Sequence, residues 1–137
     1  MKGKSCRSFI GIAAIAAALL LPGGCATTAA PIQEVQNAPV ATRSGQPLAA
    51  NDIAKAIERA GDSLGWQLTA DGPGVFTGRL LLRSHVAVVA IEYDVKAYSI
   101  LYRESVNLGA NEGLIHPAYN QWIHSLDRAI RAELDQM

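Results

Sequence analysis

The chain has 137 residues, 50% of them hydrophobic, with twelve basic and twelve acidic residues in formal balance. That length holds one domain and excludes multi-domain enzymes and repeat arrays, and the balanced charge argues against a nucleic-acid protein, which carries a basic excess. Two cysteines are too few for a disulfide-dense scaffold or a four-ligand zinc site.

Lys2, Lys4 and Arg7 form a positive start, followed by an apolar run from Phe9 to Leu21 and then Pro22-Gly23-Gly24-Cys25. A membrane-spanning helix needs about 20 apolar residues, and this run is shorter. Charge, short apolar stretch and small residues follow one another in the order of an export signal. With Cys25 directly after two glycines, the stretch resembles a bacterial prolipoprotein signal and its lipobox, with Pro22 where that family usually has Leu. The alternative is an ordinary secretory signal. The resemblance implies removal of residues 1–24 and attachment of diacylglyceryl and N-acyl chains to Cys25, several chains making a lasting bilayer anchor where one is marginal. Ala26, in place of an inner-membrane-retaining Asp, implies the outer membrane, on its periplasmic face. Lys2, Lys4 and Arg7 are three of the twelve basic residues, so processing leaves nine against twelve acidic ones, a formal charge of −3. It also leaves a folded part without cysteine, hence without disulfide, thiolate nucleophile or thiolate metal ligand.

Residues 25–50 read as the lipidated Cys and a flexible linker, rich in Ala, Thr, Pro, Gln and Ser and without periodicity. As a coil such a segment reaches about 25–30 Å. The alternative is an irregular arm packed on the domain. Residues 51–137 then form a small domain. Asn51 suits an N-cap, and Ile53, Ile57, Ala60 and Leu64 share a helical stripe that Gly65 ends. Four strands follow, at Trp66–Thr69, Val75–Arg83, Val86–Tyr93 and Ala97–Ser105, with Asp71-Gly72-Pro73-Gly74 a strong turn signal. Their short links imply antiparallel hairpins. Pro117 opens a last helix, in which Tyr119, Trp122, Ile123, Leu126, Ile130 and Leu134 step by three and four, with Asp127 and Arg131 paired outside. The order α-β-β-β-β-α predicts an α+β two-layer sandwich, a three- to four-stranded antiparallel meander flanked by two helices.

Alternation places Leu80, Leu82, Ala87, Val89, Ile91, Tyr93 and Leu101 on the core face. The other face is expected to carry Arg79, Leu81, Arg83, Val86, Val88, Glu92, Tyr98, Ile100, Tyr102 and Glu104, a mixture too apolar for a simple solvated surface. It reads either as support for a helix or as a surface for a partner, where Tyr with Arg is a typical composition.

Catalytic signatures are weak. His116 and His124, eight residues apart on one helix, lie about 12 Å apart along its axis, too far to share a metal. There is no Gly-x-Ser-x-Gly elbow, and Ser99 and Ser105 read as strand hydroxyls. Glu92, Asp94 and Glu104 read as partners of Arg79, Arg83, Lys96 or Arg103. No catalytic residue, metal or cofactor is assigned, and the chain is read as not an enzyme.

The segment from Tyr98 through Tyr102 to Asn107-Leu108, together with Ile115-His116 and Tyr119-Asn120-Gln121-Trp122-Ile123, resembles the signature of a family of small uncharacterised Gram-negative envelope lipoproteins. That resemblance implies location and domain extent, over about residues 64–134, and no activity. Asn107, His116, Tyr119 and Asn120 are expected to meet where the last strand ends beside the last helix. With Tyr98 and Tyr102 they make the candidate binding or structural network. Two functions remain: a structural or protein-interaction module of the envelope, or a small-ligand or glycan-binding domain. The expected partners are the lipid bilayer, through Cys25, and an envelope protein, with no nucleic acid.

Overall fold

The computed structural model describes residues 28–137. The expected signal peptide, the expected lipidation site Cys25 and Ala26 lie outside the described residues. The elements run β1 (Ala30–Pro31), β2 (Val35–Pro39), α1 (Ala50–Ser63), β3 (Gln67–Gly72), β4 (Val75–Leu82), β5 (His85–Tyr93), β6 (Ala97–Val106), β7 (Leu114–Ile115) and α2 (Pro117–Asp135). The fold is α+β, as the element order predicts. The main sheet is antiparallel in the order β2-β6-β5-β4-β3, and β1 pairs with β7 in a second, two-stranded sheet.

Local chemistry sets the helix ends. Gly65 at φ +82° ends α1: its amide bonds the Asp62 carbonyl and the Trp66 amide bonds that of Gly61, the paired bonds of a Schellman stop. At the other end Ala49, not Asn51, is the cap residue, and no side chain bonds there. Helix α2 starts at Pro117 behind His116, whose Nδ1 accepts the Ala118 amide at 3.1 Å.

Both helices pack on one face of the sheet. Ile53, Ala56, Ile57 and Ala60 of α1 and Tyr119, Ile123, Leu126, Ile130 and Leu134 of α2 are buried with Phe76, Leu80, Ala87, Val89, Ile91, Tyr98 and Ile100. Each fully buried Ile or Leu contributes about 1.5–3 kcal/mol. Trp122 is only partly buried, at the edge of this core.

The segment expected as a linker is largely part of the fold. Strand β2 adds to the open edge of β6, and Ala38 is buried against it. Backbone pairing needs no apolar period, only a free row of N–H and C=O groups, which the edge of β6 offers. Side chains fasten the arm further. Asn120 Nδ2 donates to the Pro31 carbonyl at 2.9 Å, and Asn120 Oδ1 accepts the Gln33 amide at 3.0 Å. Glu34 accepts the Tyr102 amide at 2.8 Å, and Ser99 Oγ accepts that of Asn37 at 3.0 Å.

The faces of β6 are also exchanged over most of its length. Asp94 Oδ1 accepts the amides of Lys96 and Ala97 at 2.7 and 2.8 Å and closes the turn so that Tyr98 stands opposite Tyr93. Ile100 then pairs with Ile91 and Tyr102 with Val89. Tyr98, Ile100 and Tyr102 therefore face the core, and Leu101 faces outward: one residue of register moves every side chain across the sheet. A bulge at Arg103 restores the other parity, pairing Glu104 with Val88 on the outer face.

Candidate functional site

Neither helix reaches the outer face of the main sheet among the described residues, so that face is left open. Its rows follow from the pairing. Leu81, Val86 and Val106 lie side by side near the β4–β5 hairpin tip. The next row holds Gln67, Arg79, Val88 and Glu104, then Thr69, Thr77, Ala90 and Leu101, then Val75, Glu92 and Ser99. Arg103, from the bulge, reaches back to Glu92 at 3.6 Å, both side chains half exposed. An apolar strip thus runs down β5 between charges of both signs. Such an exposed pair contributes at most about 1 kcal/mol to stability, so these charges do little to hold the fold.

Of the six residues expected to form a network, Tyr102 and Tyr119 meet, while Tyr98, Asn107, His116 and Asn120 bond other groups. Tyr98 is 1% exposed; its hydroxyl donates to Asp127 Oδ1 at 2.6 Å, and Asp127 also accepts Arg131 Nε at 3.0 Å. Burial, then this bond, raises the Tyr98 pKa above the ordinary phenol value. Tyr102 meets the ring of Tyr119 edge-on at 5.5 Å and bonds Ser105 Oγ at 3.0 Å. Tyr119 is fully buried, and its hydroxyl has no hydrogen-bond partner among the described residues. Burial raises its pKa too, with the Glu34 carboxylate adding to the shift.

Asn107, at φ +58°, bonds the hairpin turn: its Nδ2 donates to the Ser84 carbonyl at 2.7 Å, and the His85 ring meets its carbonyl at 2.8 Å. His116 caps α2 and Asn120 clasps the arm. These residues sit toward the same end of the molecule, but each bonds a different element. Tyr98 and Tyr102, on the core face, do not contribute to the open one. Asn120 is among the residues expected to form a structural network here, but its partners are Pro31 and Gln33 of the arm, which sequence reading did not foresee. Its signal was an Asn on the apolar side of an otherwise periodic helix, a polar group that burial obliges to find partners.

A depression of about 470 Å³ lies at the opposite end of the sheet, lined in part by Asn37, Glu92, Asp94 and Ser99. The Asp94 carboxylate there already accepts two amides, which hold its pKa below the ordinary carboxylate value. Among the described residues, no three His, Cys, Asp or Glu side chains gather as a metal site, and no helix is long and apolar enough to cross a membrane. No family model, curated protein or solved structure matches the chain.

Proposed function

We propose that this chain is a lipoprotein of the Gram-negative envelope, anchored through acylated Cys25 on the periplasmic face of the outer membrane, and that its domain is an interaction module. The open outer face of the main sheet carries this reading. Val86, Val88 and Leu101 form an apolar middle, flanked by Arg79, Arg103, Glu92 and Glu104. An apolar middle with a charged rim is the composition of a protein–protein contact, and unpaired apolar patches on a free monomer are uncommon. The fitting partner is an envelope protein with an apolar patch bordered by both charge signs.

Two measurements test the proposal. Cys25→Ser should abolish incorporation of labelled fatty acid, and persistent labelling refutes the anchor. A photo-crosslinking side chain at Val88 should trap a discrete protein partner in intact envelopes, while one at exposed Arg128 of α2 should not. Equal yields from both positions refute the sheet face as the contact.

A further inference from the structure

The expectation of a long tether gives way to a short one, and this changes where the domain sits. Only residues 26–29 separate Cys25 from Ala30, the first residue of β1. Fully extended, that stretch reaches at most about 18 Å. Part of it is spent crossing the headgroup layer, which is about 5–8 Å deep. The end of the domain at which the chain emerges is therefore held at the lipid surface.

That end is identifiable. Strand β1 pairs with β7, the Ile32 amide bonds the Gly113 carbonyl, and Ala29 lies beside Asn107, Leu108, Gly109 and His116. Asn107 in turn bonds the β4–β5 hairpin at Ser84 and His85. The emerging chain, the end of β6 and the hairpin tip thus share one end of the sheet.

Exposed large apolar side chains gather there. Leu81 is 55% exposed, Leu82 48%, Val106 52% and Leu114 43%, whereas at the opposite end, among the described residues, the exposed large apolar side chain is Val95 in the β5–β6 turn. Leu81 and Val106 flank Val86 in one row. Leu82 is the last residue before the turn, and Leu114 pairs with Pro31 on the emerging arm. Arg83 forms the tip itself at φ +58°, a left-handed conformation that an L-residue adopts at a cost. Leucines beside an exposed arginine are the composition of an interfacial contact, apolar groups entering the acyl boundary and guanidinium meeting phosphate.

We infer that the β4–β5 hairpin tip, with Val106 and Leu114, docks on the phospholipid surface that holds the acyl chains of Cys25. The inference rests on the proposed acylation. The strands then stand up from the bilayer, and the open sheet face points sideways along it, where a neighbouring envelope protein can reach it.

The test uses the full chain, processed in cells and reconstituted in phosphatidylethanolamine–phosphatidylglycerol vesicles with brominated acyl chains. A chain without other free thiols takes one fluorophore cleanly, at Leu82→Cys or at Val95→Cys, both exposed positions. Apolar groups of an interfacial contact lie about 5–10 Å into the headgroup and acyl boundary. Val95 is a nine-residue strand away, about 30 Å at the usual rise. The label at position 82 should be quenched several-fold more than the label at 95, with a blue-shifted emission. Equal quenching overturns the docking. Flotation of the same samples separates the two levels: a chain that floats with equal quenching is anchored but undocked, and a chain that stays at the bottom overturns anchor and docking together.

Discussion

Tyr98 and Tyr119 are 1% and 0% exposed, yet removal of their hydroxyls should move stability in opposite directions. In Tyr98→Phe the 2.6 Å bond to Asp127 Oδ1 is lost. Hydrogen bonds to charged groups contribute about 1.5–3 kcal/mol. Asp127 keeps Arg131 at 3.0 Å, and its side chain is 16% exposed, so its charge is not stranded. The loss should fall at the low end, about 1.5–2 kcal/mol. In Tyr119→Phe a buried hydroxyl without a partner among the described residues is removed, and relief of its desolvation should stabilise the domain by about 1 kcal/mol. The variants should differ by about 3 kcal/mol, or roughly 15 °C in Tm for a domain of this size. Urea titrations followed by Trp66 and Trp122 fluorescence, with thermal melts alongside, read both changes. Equal losses would show that the Tyr119 hydroxyl has a partner. An unchanged Tyr98→Phe would remove the Asp127 bond from the argument.

Stability should also decline in alkali. Both tyrosine pKa values are raised above the ordinary 10.0, so the folded state holds its phenol protons more tightly. Their contribution is complete below pH 10 and is lost as pH rises above it; the double Phe variant should flatten that decline in urea midpoints. Gly74→Ala should destabilise by at least about 2 kcal/mol, because its Cβ at φ +76° meets the Tyr93 carbonyl oxygen at 2.8 Å. Gly113→Ala, at φ +79° with open space around it, should cost about 1 kcal/mol of backbone strain. Matching urea midpoints for these two variants would count against the close approach at Gly74. Asn120→Ala strands the Pro31 carbonyl and the Gln33 amide, at about 1–3 kcal/mol. Hydrogen exchange should then accelerate in residues 30–39 first, and uniform acceleration across the sheet would show that the arm does not open on its own.

Elements whose signals are local were legible in the residues alone. The three- and four-residue steps of Tyr119, Ile123, Leu126, Ile130 and Leu134 define α2, His116-Pro117 its start, and Gly65 the end of α1. The strand-and-turn pattern from Gln67 to Val106 shows the meander, because short links and β-rich runs admit few other arrangements. Tertiary structure decided whatever depends on a partner distant in the chain. Residues 30–39 carry no period of their own and become ordered by pairing with β6 and β7 and by the clasp of Asn120, 87 positions beyond Gln33. The facing of Tyr98 and Tyr102 turned on how Asp94 closes one turn, since alternation fixes relative but not absolute sides. The same reason governs the site. Residue types announce a mixed sheet face, but only the placement of both helices on one side decides which face stays open. Only the path of the arm decides at which end of that face the chain emerges.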